Sequence, residues 1–147
     1  MSHAGMVGCE PDVRSATSTG YYLHNKRKQR NFIMAEVTTA GYFHFYVENL
    51  PKDNTGCPGW WLFQTAWDFF IQEQLVTIKG IRGDWTSGDN LDTVNRLTAS
   101  NLTTLEDASK QTWTYQQAKQ KNFTRFQYLH ALGTPGNYTS VDVVFLP

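Results

Sequence analysis

Cysteine is scarce in this chain of 147 residues: there are two, Cys9 and Cys57. One of them lies in a terminus rich in Ser, Thr, Gly and Ala. Such a pair makes a poor disulfide framework, so the expectation is two thiols in a reducing, cytoplasmic setting. Net charge is lacking too. Thirteen Lys and Arg balance thirteen Asp and Glu, and no global field draws the chain to nucleic acid or to an anionic membrane. Long apolar runs are missing. The longest, residues 59–71, is interrupted by Gln64 and Asp68 and is too short to span a bilayer. With no apolar segment of the signal-peptide kind at its start, the chain reads as soluble, and the sequons at Asn101, Asn122 and Asn137 are expected to stay unmodified. The four histidines are scattered, and no His or Cys pair has metal-ligand spacing, so no metal is expected. P-loop and dinucleotide fingerprints are absent as well.

What the chain has in surplus is aromatic residues. Nine Phe, seven Tyr and five Trp make up 14% of the sequence, too many for one small core. Some must line a groove or an interface, which points to a small-molecule ligand and leaves a homodimer open.

Residues 1–20 carry no periodic apolar pattern and read as a disordered tail, leaving 21–147 as a single globular domain. The run Lys26, Arg27, Lys28, Arg30 suits a solvated strand edge or turn, with a localisation signal or a phosphate contact as the functional alternatives. Residues 32–37 and 42–48 alternate and form a hairpin candidate, with Phe43, Phe45 and Val47 on one face. Tyr42, His44, Tyr46 and Glu48 take the other face, which is amphipathic enough to line a ligand groove. Residues 60–75 repeat Trp60, Phe63, Trp67, Phe70 and Ile71 at helical spacing, and 76–81 is a β-branched strand. Asp89 with Asp92, Thr103 with Glu106, and Thr114 with Gln117 mark three short helices near 90–99, 104–111 and 115–121. A second hairpin, turning at 133–137, closes the chain. The order predicts an α/β or α+β sandwich: a mixed sheet of about five strands with one long central helix and several short ones.

The turn Asn54-Thr55-Gly56-Cys57-Pro58-Gly59, entering a helix at Trp60, is a candidate anion site, because unpaired N–H groups and the helix dipole both favour negative charge. With the element order, this turn resembles the GNAT superfamily of N-acyltransferases over about 42–145, and 118–123 looks like the end of that family's later helix. The resemblance implies a coenzyme A-dependent transfer of an acyl group to an amine, with Asn54, Thr55, Gly56, Cys57, Gly59 and Trp60 holding the cofactor. The family's general-acid tyrosine is replaced here by Ala118, so Tyr115 or His44 would handle the proton. Pro58 also removes a donor from the turn. Stretches at 89–92, 112–114 and 138–141 are similar to C-terminal domains of bacterial polymorphic toxins.

Two further readings stand beside this one. Cys57 at a helix N-terminus, with His130 and Asp142 on later strands, has the residue types of a cysteine hydrolase or transferase. Alternatively the aromatics, Trp60, Trp61, Trp85 and Trp113 among them, serve a non-catalytic module that binds a ligand such as a carbohydrate by stacking. Arg82-Gly83-Asp84 spells an adhesion tripeptide but ends a buried strand, and carries no weight.

Overall fold

The computed structural model describes residues 6–48 and 55–147. They form two compact units, Met1–Ile78 and Lys79–Pro147. The protein is of the α+β class, with four α-helices and seven strands among the described residues rather than the expected five.

In the first unit, β1 (Pro11–Ala16), β2 (Gly20–Asn25), β3 (Lys28–Val37) and β4 (Tyr42–Glu48) pair antiparallel in chain order. The hairpin of β3 and β4 falls where the alternation places it. The tail expectation does not hold: residues 11–16 are a strand, and the chain just before them is fastened by a Cys9–Cys57 disulfide. Local periodicity missed β1 because its side chains are mostly exposed, so no apolar alternation marks it.

Helix α1 (Gly59–Asp68) lies on one face of this sheet. Its buried stripe is Trp61, Leu62, Phe63, Ala66 and Trp67, while Trp60 stays exposed. Phe43 is the centre of the contact, with its ring 5.2 Å from Phe63, 5.4 Å from Trp67 and 6.1 Å from Phe70. The expected helix to residue 75 changes character after Asp68, becoming a single π-helical turn over Phe69–Glu73. Leu75 then adopts φ +55° and the Val76 N–H reaches back to the Phe70 carbonyl at 2.9 Å, a Schellman-type stop. This closure holds residues 76–79 out of a strand, so the next strand starts at Gly80 instead of Val76.

In the second unit, β5 (Gly80–Trp85), β6 (Arg125–Leu132) and β7 (Ser140–Leu146) form an antiparallel set with β7 between the others. The closing hairpin is where the sequence places it. Val141, Val143 and Phe145 of β7 are fully buried. Helices α2 (Gly88–Thr98), α3 (Leu105–Ser109) and α4 (Trp113–Gln120) confirm the three short helices with different caps. Thr104 and Thr112 accept from the Asp107 and Tyr115 N–H groups, at 3.1 and 3.2 Å, where Thr103 and Thr114 were expected to cap. Thr114 is buried instead, accepting from Trp85 Nε1 and Asn90 Nδ2. Gly83 sits in β5, where a Cβ would lie 2.5 Å from the Trp85 ring, and Arg82 is bound to Asp142, so the tripeptide is strand and not an exposed loop.

Candidate ligand-binding face

The first unit's sheet has one face against α1 and one facing away from it. Registers Tyr22↔Met34, His24↔Phe32, Met34↔Tyr46 and Glu36↔His44 place these side chains together on the second face. Such positions on a half-covered antiparallel sheet are ordinarily polar. Here Tyr46 and Met34 are more than half exposed, and the rings of Tyr22 and Phe32 are only partly covered. The Tyr22 and Phe32 centroids are 6.0 Å apart with planes at 84°, so a planar group lying flat on one meets the edge or wall of the other.

Around these two rings is an open cavity of about 460 Å3, lined by Arg14, Tyr22, His24, Gln29, Arg30 and Phe32. Two guanidinium groups, an imidazole and an amide therefore share the lining with the two aromatic rings, and no carboxylate is among the lining groups. Each arginine rests on an acid nearby: Arg14 is 3.2 Å from Asp12 and Arg30 is 3.1 Å from Glu48. Both guanidiniums are largely exposed, and exposed pairs of this kind contribute about 0–1 kcal/mol. A ligand anion can replace the acid at little cost. His24 is the fixed member. It is buried, and its Nε2 is 3.1 Å from the same Asp12 oxygen that Arg14 uses. The hydrogen bond from His24 and then that from Arg14 hold the Asp12 carboxyl below its ordinary pKa, so Asp12 stays ionised and keeps the rim in place.

The sites expected from the sequence are arranged differently. Asn54 lies outside the described residues. The Gly56 N–H donates to the Val7 carbonyl at 2.7 Å, and the Cys57 N–H donates to Asn31 Oδ1 at 2.6 Å. Two of the donors on which an anion cradle depends are therefore spent inside the protein. The cradle is also crowded, since a Cβ on Gly56, which has φ +106°, would lie 2.8 Å from Asn31 Oδ1. Thr55 accepts from Lys28 Nζ at 2.5 Å, Gly59 is buried, and Trp60 points to solvent. Cys57 is bonded to Cys9 and fully buried, so it offers no thiolate, which corrects both the nucleophile reading and the poor-framework reading. His130 and Asp142 do face one another across β6 and β7, yet Asp142 is engaged by Arg82 through both carboxylate oxygens, at 2.9 and 2.7 Å. Tyr115 packs its ring on Phe145 at 5.0 Å within the second unit. His44 belongs to the first unit, on the open face of β4, with Nδ1 3.5 Å from Glu36.

Comparison with protein-family models, with curated proteins and with solved structures found no match. The chain's own chemistry is thus the guide to its function. Among the described residues no group of three His, Cys, Asp or Glu side chains is gathered as a metal site, and no helix is long and apolar enough to cross a membrane.

Sequence reasoning identified the open face of β4 and the basic run at 26–30, but missed Arg14, Tyr22, Gln29 and Phe32 as one site. The available signal was the alternation of Tyr22 with His24 and of Arg30 with Phe32. Each pair is two residues apart and so shares a face of its strand.

Proposed function

We propose that this chain is a non-catalytic binding module that takes an acidic carbohydrate on the open face of β2 and β3. The observation that carries the reading is a cavity lined together by the Tyr22 and Phe32 rings and by Arg14, Arg30, His24 and Gln29. A sugar ring presents C–H groups on its flat face, which an aromatic ring accepts, and hydroxyls at its edge, which arginine and glutamine meet. The absence of acids from the lining favours a ligand with its own carboxylate, for which the planar guanidinium is a matched partner. This reading is preferred to an acyl-coenzyme A site at Gly56 because the Gly56 and Cys57 N–H groups already have internal acceptors. The disulfide adds a setting. Bonds of this kind persist in oxidising compartments, and we place the protein there instead of in the cytosol.

Titration of the full chain with galacturonic acid and with galactose, followed by backbone amide NMR, tests the reading. Galacturonate is expected to shift residues of β2 and β3 at millimolar concentration, and Phe32→Ala to weaken binding about tenfold, equivalent to about 1.4 kcal/mol. Arg30→Gln should abolish the preference for the acid over the neutral sugar. Absence of any shift with either sugar, or shifts confined to residues around Gly56, would refute the proposal.

A further inference from the structure

The cavity is not the end of the aromatic surface. Beyond Phe32, on the neighbouring strand β4, lies Tyr46, with its centroid 5.7 Å from that of Phe32 and its plane tilted by only 33°. Tyr46 is not among the cavity-lining residues and is 57% exposed, although a tyrosine on a strand more often buries its ring. Three rings therefore run across three adjacent strands, Tyr22 on β2, Phe32 on β3 and Tyr46 on β4. The step from Phe32 to Tyr46 is on the scale of the repeat between linked pyranose rings.

We infer that the ligand is a linear acidic oligosaccharide, with one ring seated in the cavity against Tyr22 and Phe32 and the next lying over Tyr46. This rests on the proposed function and specifies its ligand. A single sugar would leave Tyr46 unused. A chain crossing the strands covers it, and Glu48, held 3.1 Å from Arg30 beside this path, provides an acceptor for hydroxyls between the two rings. Glu48 stands opposite Phe32 and pairs with Arg30, and the Glu36–His44 pair lies on the other side of Tyr46 along the strands.

The test is calorimetric titration of the full chain with galacturonic acid, its trimer, a neutral trimer and an oligonucleotide of matched charge, using the parent, Tyr46→Ala and Tyr46→Phe. The inference expects the acidic trimer to bind about tenfold more tightly than the monomer, a gain of about 1.4 kcal/mol. Tyr46→Ala should erase that gain without changing monomer affinity, and Tyr46→Phe should keep it. Equal affinity for monomer and trimer, or a gain that survives Tyr46→Ala, would overturn the inference and leave the proposed function standing. Failure of both the monomer and the acidic trimer to bind would overturn both. Tighter binding of the oligonucleotide or of the neutral trimer than of the acidic trimer would overturn the ligand class.

Discussion

Asn31 holds Cys57 by both of its backbone polar groups. The Cys57 N–H donates to Asn31 Oδ1 at 2.6 Å, and Asn31 Nδ2 donates to the Cys57 carbonyl at 2.9 Å. The same Asn31 oxygen accepts from Asn25 Nδ2 at 3.0 Å, and Asn25 in turn donates to the Gly8 carbonyl and accepts from the Glu10 N–H. Two fully buried asparagines, on β2 and β3, thus fasten the chain on either side of both cysteines. Polar groups as buried as these are tolerated because they are hydrogen-bonded.

Asn31→Ala leaves the Cys57 N–H, the Cys57 carbonyl and an Asn25 donor without this partner. Each buried group so stranded costs about 1–3 kcal/mol, with partial relief from relaxation. The expected loss in urea denaturation is about 2–4 kcal/mol. A loss below about 1 kcal/mol would mean that water replaces the side chain.

The disulfide closes a loop between residues 48 apart in sequence. Its removal in the Cys9→Ala, Cys57→Ala double variant should lower stability by about 2–5 kcal/mol, read from paired denaturant melts. Iodoacetamide should label neither cysteine in folded, unreduced protein. Labelling of Cys57 without a reductant would revive the nucleophile.

Trp67 is buried at the sheet–helix contact, between Phe43 and Phe63, at 5.4 and 6.0 Å from their centroids. Trp67→Ala is expected to cost about 3–5 kcal/mol in the same denaturant assay. Trp60→Ala, about two turns earlier and exposed, should change stability by less than about 0.5 kcal/mol.

Burial pushes the Tyr21 phenol up to about 12, with the nearby Glu73 carboxylate adding in the same direction. Because the folded-state value lies above the unfolded one, the contribution of Tyr21 to stability is complete below pH 10. It is lost as pH rises from there through the folded value. Tyr21→Phe keeps the ring stacked near Phe69, 4.7 Å away in the parent, and removes the ionisation. Stability measured between pH 9 and 12 should therefore fall less steeply in the variant, and parallel slopes would refute this assignment.

Much of the architecture is written in local patterns. The alternation of Phe43, Phe45 and Val47 defines a strand and its inward face, because side chains two apart in a strand point the same way. The short helices after Trp85 are marked by polar side chains that satisfy their first N–H groups, although which threonine caps was decided by packing. Thr114 turned inward to Trp85 and Asn90, and Thr112 took the cap. The break after Asp68 was not legible, since Phe69 and Phe70 continue a helical apolar pattern and only the π turn with its Schellman closure ends it.

The sequence by itself determined the helix at Trp61 to Trp67, both hairpins and the excess of aromatic side chains, because each depends on neighbours within a few residues. Tertiary structure alone decided the rest. Cys9 and Cys57 become partners because Asn25 and Asn31, two polar residues with no periodic signature, bring distant backbone groups to them. The binding face exists only once β1, β2, β3 and β4 align in register. Tyr22, Phe32 and Tyr46 come within about 6 Å of one another in steps across strands, and neither spacing nor hydropathy along one segment encodes a contact between strands.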